Sequence, residues 1–256
     1  MTVLGIDTSG TLGGVALARD GRLVGEIRCD ARLAVSERIL PQIMQLLADQ
    51  GLEKEAVTRI GIALGPGSFT GLRVGLATAK GLGQGLDIPL VGISSLQARI
   101  FALGVPNKPV LAVSSLRRGK VFVTAGIWEG AGLRTLLPEA SRSLDEARQW
   151  VGEALEACGE LGSSRLLCTG DAALALRDQF CEDVPEAGQL LFLPGMPGAL
   201  PGAVALMAAV AAEEETLTGS ALLDLMPRYL RGSDARLPRN RQSRSSELRP
   251  PGREGT

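Results

Sequence analysis

The pattern of apolar and polar residues predicts a three-stranded meander at the start of the chain. Apolar runs extend over Val3 to Ile6, Gly13 to Ala18 and Leu23 to Ile27, and polar turns separate them. The dipeptide Asp20-Gly21 between the second and third runs favours a tight hairpin, because both residue types are typical of turns with positive φ.

Helices and strands then alternate as far as position 103. One helix is predicted by apolar residues at helical spacing that end before Gly51: Val35, Ile39, Leu40, Ile43, Leu46 and Leu47. The next predicted elements are a strand from Arg59 to Leu64, a helix from Leu72 to Leu82, a strand from Pro89 to Ile93, and a helix to about Leu103 that Ser94 and Gln97 open as a capping box. The order β-β-β-α-β-α-β-α predicts a ribonuclease-H-like lobe.

The second half of the chain repeats this order after a boundary at Gly104 to Pro109. The predicted strands are Val110 to Val113, Val121 to Ile127, Leu133 to Leu136 and Leu166 to Cys168. The predicted helices run from a capping box at Ser143 and Glu146 to about Ala157, from a cap at Asp171 to Phe180, and over the Ala-rich segment from Pro201 to Thr216. We therefore expect an α/β fold of two lobes, residues 1–105 and 106–200, with the helix of residues 201–216 packed back on the first lobe.

Residues 233–256 are rich in Arg, Pro and Ser and poor in apolar residues, so we expect a disordered basic tail. Its arginines could contact RNA phosphates, but a solvated tail is favoured, because no aromatic residue lies among them to stack on bases. These arginines are Arg236, Arg239, Arg241, Arg244, Arg249 and Arg253.

The composition is that of a globular protein, with 256 residues, 45% of them apolar, and a net charge of −1. The apolar run from Ala203 to Ala212 is too short to span a bilayer, and residues Met1 to Gly14 lack the basic start of a signal peptide. We therefore expect a cytoplasmic protein that does not engage a membrane. The four cysteines are far apart in sequence and predict buried thiols rather than disulfides or a metal site: Cys29, Cys158, Cys168 and Cys181.

The absence of histidine narrows the possible chemistry. A chain with no histidine cannot form a Ser-His-Asp or Cys-His catalytic centre, an HExxH zinc site or the usual proton shuttle at neutral pH. Magnesium sites built from carboxylates, and phosphoryl transfer by positioning, require no imidazole and stay open.

Asp7, Thr8 and Ser9 end the first predicted strand at a polar turn with glycines nearby. In actin-like and sugar-kinase-like folds, an Asp at this point holds a metal ion while turn amides face phosphates. These three residues are therefore candidates for binding a nucleotide. The alternative is a plain turn, because Asp and Thr side chains also bond to local backbone.

The segment from Gly65 to Arg73, GPGSFTGLR, is the most specific feature of the chain. Its three glycines let the backbone approach another group closely, and the helix that follows offers unpaired amides to an anion. No Lys follows the last glycine as in a Walker loop, the GxGxxG spacing breaks at Thr70, and no histidine is present to activate Ser68. We expect a tight turn in which Thr70 caps the helix.

The helix after this turn carries a stripe of small residues at every fourth position, Gly71, Gly75, Ala79 and Gly83. Because glycine inside a helix costs about 1 kcal/mol relative to Ala, the stripe indicates close approach of another helix. That helix is either a neighbour within the chain or part of a partner. Residues Gly81 to Gly85 predict a frayed helix end.

At these residues the chain resembles the TsaB (YeaZ) family. The resemblance spans about residues 2 to 231, densely in the first hundred positions and thinly afterwards. It rests on five segments: LGIDTSG near the start, SERILPQI from Ser36 to Ile43, GIALGPGSFTGLRVGLATAKGL from Gly61 to Leu82, VGISSL from Val91 to Leu96, and PRYLR from Pro227 to Arg231.

The resemblance implies an actin-like (ASKHA) fold and an accessory role in making threonylcarbamoyladenosine at position 37 of tRNA. Members of the family pair with the related TsaD subunit, which holds the metal and transfers the threonylcarbamoyl group, and the TsaE ATPase binds near the junction. This implies no catalytic residue, metal or cofactor in this chain, with ATP or ADP and Mg²⁺ only at the junction with the partner, and contact with tRNA only indirectly.

The resemblance also implies where the partner binds, because the family pairs through the first two helices of the N-terminal lobe and self-associates through the same surface. In this chain those helices are Ser36 to Leu47 and Thr70 to Leu82. The implied partner-binding residues are Ser36, Glu37, Leu40, Ile43, Leu47, Phe69, Thr70, Arg73, Gly75, Thr78, Ala79 and Leu82.

The chain departs from the family pattern at two places. The family often has a histidine directly before the Ser-Glu of SERILPQI, where this chain has Val35. A motif resembling DARRGEVY becomes SLRRGKVF, so Ser115 and Lys120 stand at acidic positions. Both changes point away from catalysis, and the second puts in doubt any contact that the second lobe makes through those acids.

Three functions are therefore compared. An accessory, dimerising subunit for tRNA threonylcarbamoylation is the leading hypothesis. The second is an independent actin-like ATPase or small-molecule kinase that uses Asp7 and Mg²⁺. A metallopeptidase, suggested by distant kinship with glycoprotease-like proteins, has almost no support without histidine ligands.

Overall fold

The structure is a computed structural model that describes residues 1–30, 35–116, 119–130, 132–163, 165–178, 188–193, 200–228 and 230. Some of the expectations concern positions outside the described residues. These positions are the tail, the side chain of Val35, Arg117, Arg118, Phe180, Cys181, Tyr229 and Arg231. Among the described helices, none is long and apolar enough to cross a membrane.

Two β-sheets organise the chain. The first contains β1 (Thr2–Asp7), β2 (Leu12–Arg19), β3 (Arg22–Asp30), β4 (Arg59–Gly65), β5 (Leu90–Ser94) and β11 (Thr216–Leu217), in the order β11-β5-β4-β1-β2-β3. The second contains β6 (Pro109–Ser115), β7 (Lys120–Glu129), β8 (Gly132–Ser143), β9 (Leu166–Thr169) and β10 (Leu190–Phe192), in the order β10-β9-β6-β7-β8.

The two sheets share one topology. Each begins with three antiparallel strands, β1-β2-β3 and β6-β7-β8, and continues with two strands that run parallel to the first of them, β4 and β5 in one sheet and β9 and β10 in the other. The first sheet also carries β11, which pairs antiparallel with β5. This is the order predicted for two ribonuclease-H-like lobes, and it confirms the α/β fold class. The predicted hairpin is present, because Asp20 and Gly21 both have positive φ, of 49° and 75°.

Seven α-helices accompany the sheets in the described part of the chain: α1 (Val35–Asp49), α2 (Phe69–Leu86), α3 (Ser95–Ala102), α4 (Ala147–Gly159), α5 (Ala173–Asp178), α6 (Pro201–Val210) and α7 (Ala221–Asp224). Helices α1 and α2 cover one face of the first sheet, where Leu4 and Ile6 point. Helix α6 covers the other face, where Val3 and Ala16 point, as expected for a strand whose residues alternate between faces.

The lobes meet at α3, which packs on β6 and β7. The buried Arg99 of this helix donates from Nε to the Ser114 hydroxyl at 3.0 Å, and its guanidinium lies 3.7 Å from the carboxylate of Asp171. Asp171 also accepts a hydrogen bond from the Ser115 amide. Its carboxylate thus serves the junction between the lobes, and α5 begins two residues later at Ala173.

Several predicted boundaries are wrong, for identifiable reasons. Helix α6 ends at Val210 and not at Thr216, because the Arg59 guanidinium binds the carbonyl oxygens of Ala208 and Ala211, and a short 3₁₀ turn follows at Glu213–Glu215. Strand β8 is far longer than the predicted Leu133 to Leu136. It lies at a sheet edge, where the pairing with β7 becomes irregular between Leu137 and Ala140 and tolerates Pro138.

Candidate functional site

Asp7 ends β1 in a buried position and is only 2% exposed. One carboxylate oxygen accepts a hydrogen bond from the Ser9 amide at 2.8 Å, and the other accepts one from the Leu200 amide at 2.7 Å. Leu200 is the residue directly before α6, where a helix leaves amide groups unpaired. The carboxylate therefore ties the first turn of the chain to the start of α6.

Thr8 and Ser9 join the same turn to the glycine-rich segment. The Thr8 hydroxyl donates to the Gly71 carbonyl oxygen at 2.7 Å, and the Ser68 amide donates to the Ser9 carbonyl oxygen at 2.7 Å. A Cβ atom at Gly67 would overlap the backbone of Ser9. Glycine is required there because the two turns lie against each other.

The three candidate nucleotide-binding residues thus lie together at the sheet edge, but their polar groups bind the chain itself. Each oxygen of Asp7 accepts one amide hydrogen bond and keeps one further acceptor position. Over the described residues, no group of three or more acidic or Cys side chains is arranged to hold a metal ion. The geometry is that of a joint between β1, α2 and α6.

Helix α2 begins at this joint. Ser68 and not Thr70 is its N-cap, because the Ser68 hydroxyl accepts the hydrogen bond from the Gly71 amide. The helix continues through the glycines that were expected to fray and ends at Leu86, where Asp87 adopts the left-handed conformation with φ of 53°. Partly buried Leu82 packs in the core cluster that α1 and α2 share. This packing stabilises the helix and outweighs the low helix propensity of its glycines.

The small-residue stripe of α2 faces the chain's own sheet, whereas the sequence had left open a helix of the chain or a helix of a partner. A Cβ atom at Gly71 or at Gly75 would overlap Thr8, and one at Gly83 would overlap Leu90 of β5. Ala79 is fully buried. The stripe lets α2 lie close to β1 and β5, so it is an internal packing feature.

The opposite faces of α1 and α2 are exposed. Leu40 and Met44, one helical turn apart on α1, are 49% and 56% exposed. On α2, Ala77 and Gly81 are exposed, and a Cβ atom at Gly81 would meet nothing within 4 Å. Phe69, at the start of α2, is 54% exposed and carries the Arg73 guanidinium 3.9 Å above its ring. We call these exposed faces together the α1–α2 face.

The twelve predicted partner-binding residues divide into three groups by burial. Six are exposed: Ser36, Glu37, Leu40, Phe69, Thr70 and Arg73. Two are half-buried, Thr78 and Leu82. Four are buried within the lobe: Ile43, Leu47, Gly75 and Ala79. The buried four do not belong to the surface and are corrected to core positions. The predicted set does not include Met44, Ala77 and Gly81, which are exposed on the same two helices; the helical spacing of the buried leucines Leu72 and Leu76 places Ala77 and Gly81 on the opposite side of α2.

Of the positions that depart from the family pattern, Ser115 and Lys120 lie on the second lobe. Ser115 is exposed at the end of β6 and its amide donates to Asp171, and Lys120 is exposed at the start of β7.

Comparison with known proteins places the chain in a family. The profile described as "TsaD: tRNA N6-adenosine threonylcarbamoyltransferase" matches residues 30–162, about half of the chain. The tRNA threonylcarbamoyladenosine biosynthesis protein TsaB of Escherichia coli (strain K12) is 32% identical over 193 residues, which cover 70% of this chain and 79% of that protein. TsaB of Bacillus subtilis (strain 168) is 31% identical over 154 residues, 60% of this chain and 67% of that protein.

Solved structures show the same fold. YeaZ from Pseudomonas aeruginosa is 20% identical and superposes with a TM-score of 0.68 over 89% of this chain and 99% of that one. Together with the relatives and with the two ribonuclease-H-like lobes, this likeness confirms the resemblance inferred from GPGSFTGLR and its helix. The chain belongs to the TsaB (YeaZ) family of tRNA threonylcarbamoyladenosine biosynthesis proteins, and its fold is the actin-like fold of two ribonuclease-H-like lobes.

Proposed function

We propose that the chain is a non-catalytic accessory subunit of the tRNA threonylcarbamoyladenosine machinery that pairs with a TsaD-type transferase subunit through the α1–α2 face. The observation that carries the proposal is the pair of half-exposed side chains, Leu40 and Met44, beside an α2 surface of very low relief. Such a surface suits two helices of a partner, which would complete a four-helix bundle.

The shape of the face supports close docking. At Ala77 and Gly81 the outer side of α2 has almost no side chain, so a partner helix can approach its backbone. Leu40 and Met44 then stand beside this low strip as an apolar ridge. A small crevice of about 50 Å³ between the two helices, lined in part by Met44 and Leu82, could receive an apolar side chain from the partner.

The two exposed apolar side chains of this face would contribute part of the docking energy. Burying a whole Leu or Met side chain contributes about 1.5–3 kcal/mol, so burying the exposed half of each contributes about 1 kcal/mol. Leu40 and Met44 together supply about 2 kcal/mol, or roughly thirtyfold in the dissociation constant. Phe69 adds a further apolar contact at one end, and Arg73 and Glu37 provide charged groups at the rim.

The remaining parts of the proposal follow from the family. A TsaE-type ATPase binds near the junction, ATP or ADP with Mg²⁺ is held there rather than by this chain alone, and tRNA is contacted through the partner. Because a tRNA-modifying complex works where tRNA is used, we propose a cytoplasmic location. In the absence of the partner, two copies of the chain pair through the same face.

The test is pairing with the cognate TsaD-type subunit, measured by size-exclusion chromatography and by calorimetry. We expect a co-eluting heterodimer at micromolar concentrations for the natural chain. Leu40→Asp should weaken the complex about a hundredfold, because docking would desolvate a carboxylate at the centre of the face. Leu174→Asp is the matched control, since Leu174 is 59% exposed on α5 of the second lobe.

The outcomes separate the proposed surface from the proposed pairing. Failure of the natural chain to co-elute with the transferase subunit would refute the accessory role. Pairing that survives Leu40→Asp unchanged, or that Leu174→Asp weakens equally, would place the interface elsewhere on the molecule. Circular dichroism of each variant confirms folding, which an exposed substitution should leave intact.

A further inference from the structure

A second concave site lies at the junction of the lobes, on the face of the first sheet opposite α1 and α2. Its volume is about 480 Å³, within the range of small-molecule pockets. The walls come from β3, from α3, from the first turn of α6, from the connection Gly104 to Pro106, and from Trp128 at the end of β7. An occupant would therefore contact both lobes and the connection between them.

Most of this cleft is apolar, and part of it is aromatic. The rings of Phe101 and Trp128 meet edge to face with centroids 4.9 Å apart, and the Trp128 indole N–H is taken by the Gly130 carbonyl oxygen. Leu23 remains 44% exposed at the rim. A shift in the β2–β3 pairing near Leu23 places this side chain on the same face of the sheet as Glu26.

One end of the cleft is polar, and Arg28 is its basic side chain. Glu26 lines it, but one of its oxygens accepts from the Gly202 amide at 2.9 Å and the other accepts from Arg28 at 2.8 Å. An arginine has five N–H donors, and Glu26 uses one of those of Arg28, whose side chain is one-third exposed. The ten-residue helix α6 begins beside them, and its Leu200 and Gly202 amides are bonded to the carboxylates of Asp7 and Glu26.

We propose that this cleft binds a small amphipathic organic acid, with its flat apolar body against Phe101 and Trp128 and its single acidic group on Arg28. A cationic ligand is disfavoured, because Glu26 is the acidic lining residue and both of its oxygens are already bonded. The proposal does not depend on pairing through the α1–α2 face, since the cleft opens on the other side of the sheet.

The probe for the test is 8-anilinonaphthalene-1-sulfonate, which combines aromatic rings with one anionic group. We expect saturable one-site binding to the full chain, with energy transfer from tryptophan to the probe. Trp128→Phe should lower both the affinity and the transfer, because the probe would lie against Trp128, whereas the other tryptophan, Trp150, lies in the core of the second lobe and does not line the cleft. Affinity and energy transfer that are both unchanged in Trp128→Phe would place the probe elsewhere and overturn the proposal.

Charge recognition is tested separately. Arg28→Met should weaken probe binding about tenfold, as expected for one charge-assisted hydrogen bond, and Arg28→Lys should weaken it less. Arg22→Met is the matched control, because Arg22 is an exposed arginine at the start of the same strand that does not line the cleft. Decanoate should displace the probe, and decanol should do so at least tenfold more weakly.

Three results would overturn the inference. The first is an equal loss of affinity for the probe in Arg28→Met and in Arg22→Met. The second is displacement of the probe by decanol as effectively as by decanoate. The third is loss of probe binding in Leu40→Asp. The last result would show that the probe reads the exposed apolar side chains of the α1–α2 face. Failure of the chain to pair with a transferase subunit would not affect any of these measurements.

Discussion

Two glycines of α2 offer a matched test of which side of this helix faces the sheet. Gly75 and Gly81 are both interior residues of α2. A Cβ atom at Gly75 would overlap the Thr8 hydroxyl and lie 3.4 Å from Ile62, whereas one at Gly81 would meet nothing within 4 Å. Replacing each glycine by alanine therefore adds the same methyl group to two opposite environments.

The expected stabilities follow from this geometry. Alanine is favoured over glycine in a helix interior by about 1 kcal/mol, so Gly81→Ala should stabilise the fold by that amount. In Gly75→Ala the same gain is opposed by displacement of Thr8, whose bond to Gly71 is worth about 1–3 kcal/mol when its buried groups are left unpaired. Overpacking costs a further 1–3 kcal/mol or so, which leaves a net loss of at least about 1 kcal/mol.

The assay is urea and thermal unfolding followed by circular dichroism. A change of 1 kcal/mol corresponds to about 2–4 °C in Tm for a chain of this size, so the two variants should move in opposite directions. The Thr8→Ala background sharpens the test, because it removes the hydroxyl that the new methyl group displaces. Gly75→Ala should cost less there, with a coupling free energy of about 1 kcal/mol or more.

Two results would refute the reasoning. Equal stability of Gly75→Ala and Gly81→Ala would show that the inner stripe does not lie against β1. A Gly75→Ala variant that is fully stable but no longer pairs with a transferase subunit would return this glycine to the partner surface, where the sequence alone had placed it.

Two further predictions concern buried groups. Asp7→Ala should lower the free energy of unfolding by about 1–2 kcal/mol, because the amides of Ser9 and Leu200 lose their acceptor. Titration calorimetry with Mg²⁺-ATP should give the same signal for the natural chain and for this variant. Micromolar binding that the variant abolishes would instead support an independent kinase or ATPase. Burial, with a smaller contribution from Cys158, raises the pKa of Cys168 to about 12. At pH 8 maleimide should therefore label partly exposed Cys29 well before Cys168, and equal labelling of the two in mass spectrometry would contradict the burial of Cys168. The Cys168 thiol ionises near pH 9 in the unfolded chain but stays protonated in the folded one, so the free energy of unfolding should fall between pH 9 and about 12.

Local signals were sufficient for most elements of the first lobe. Alternating apolar runs and the Asp20-Gly21 turn predicted the meander, and the Ser94 cap is present, with its hydroxyl accepting from the Gln97 amide at 3.3 Å. These features depend on residues a few positions apart, so the sequence displays them directly.

Features that depend on distant residues were missed. The end of α6 is set by Arg59, about 150 positions earlier, and the pairing of Asp7 with the Leu200 amide joins the two ends of the described chain. The inner and outer sides of α2 were confused for a different reason. Glycine and alanine carry little hydrophobic signal, so small residues indicate a close approach without showing what approaches.

The joint at Asp7, Thr8 and Ser9 bears directly on how the α1–α2 face could work. Ser68 is held by Ser9 and Gly71 by Thr8, so the first turn of α2 is fixed by two long-range hydrogen bonds. The inner stripe then holds the rest of the helix against the sheet, which leaves α2 little freedom to shift. A docking helix on a rigid support loses less conformational entropy when a partner binds. The turn that resembles a phosphate loop fixes α2 in place, and the docking surface that we propose lies on the opposite side of the helix, at Ala77 and Gly81.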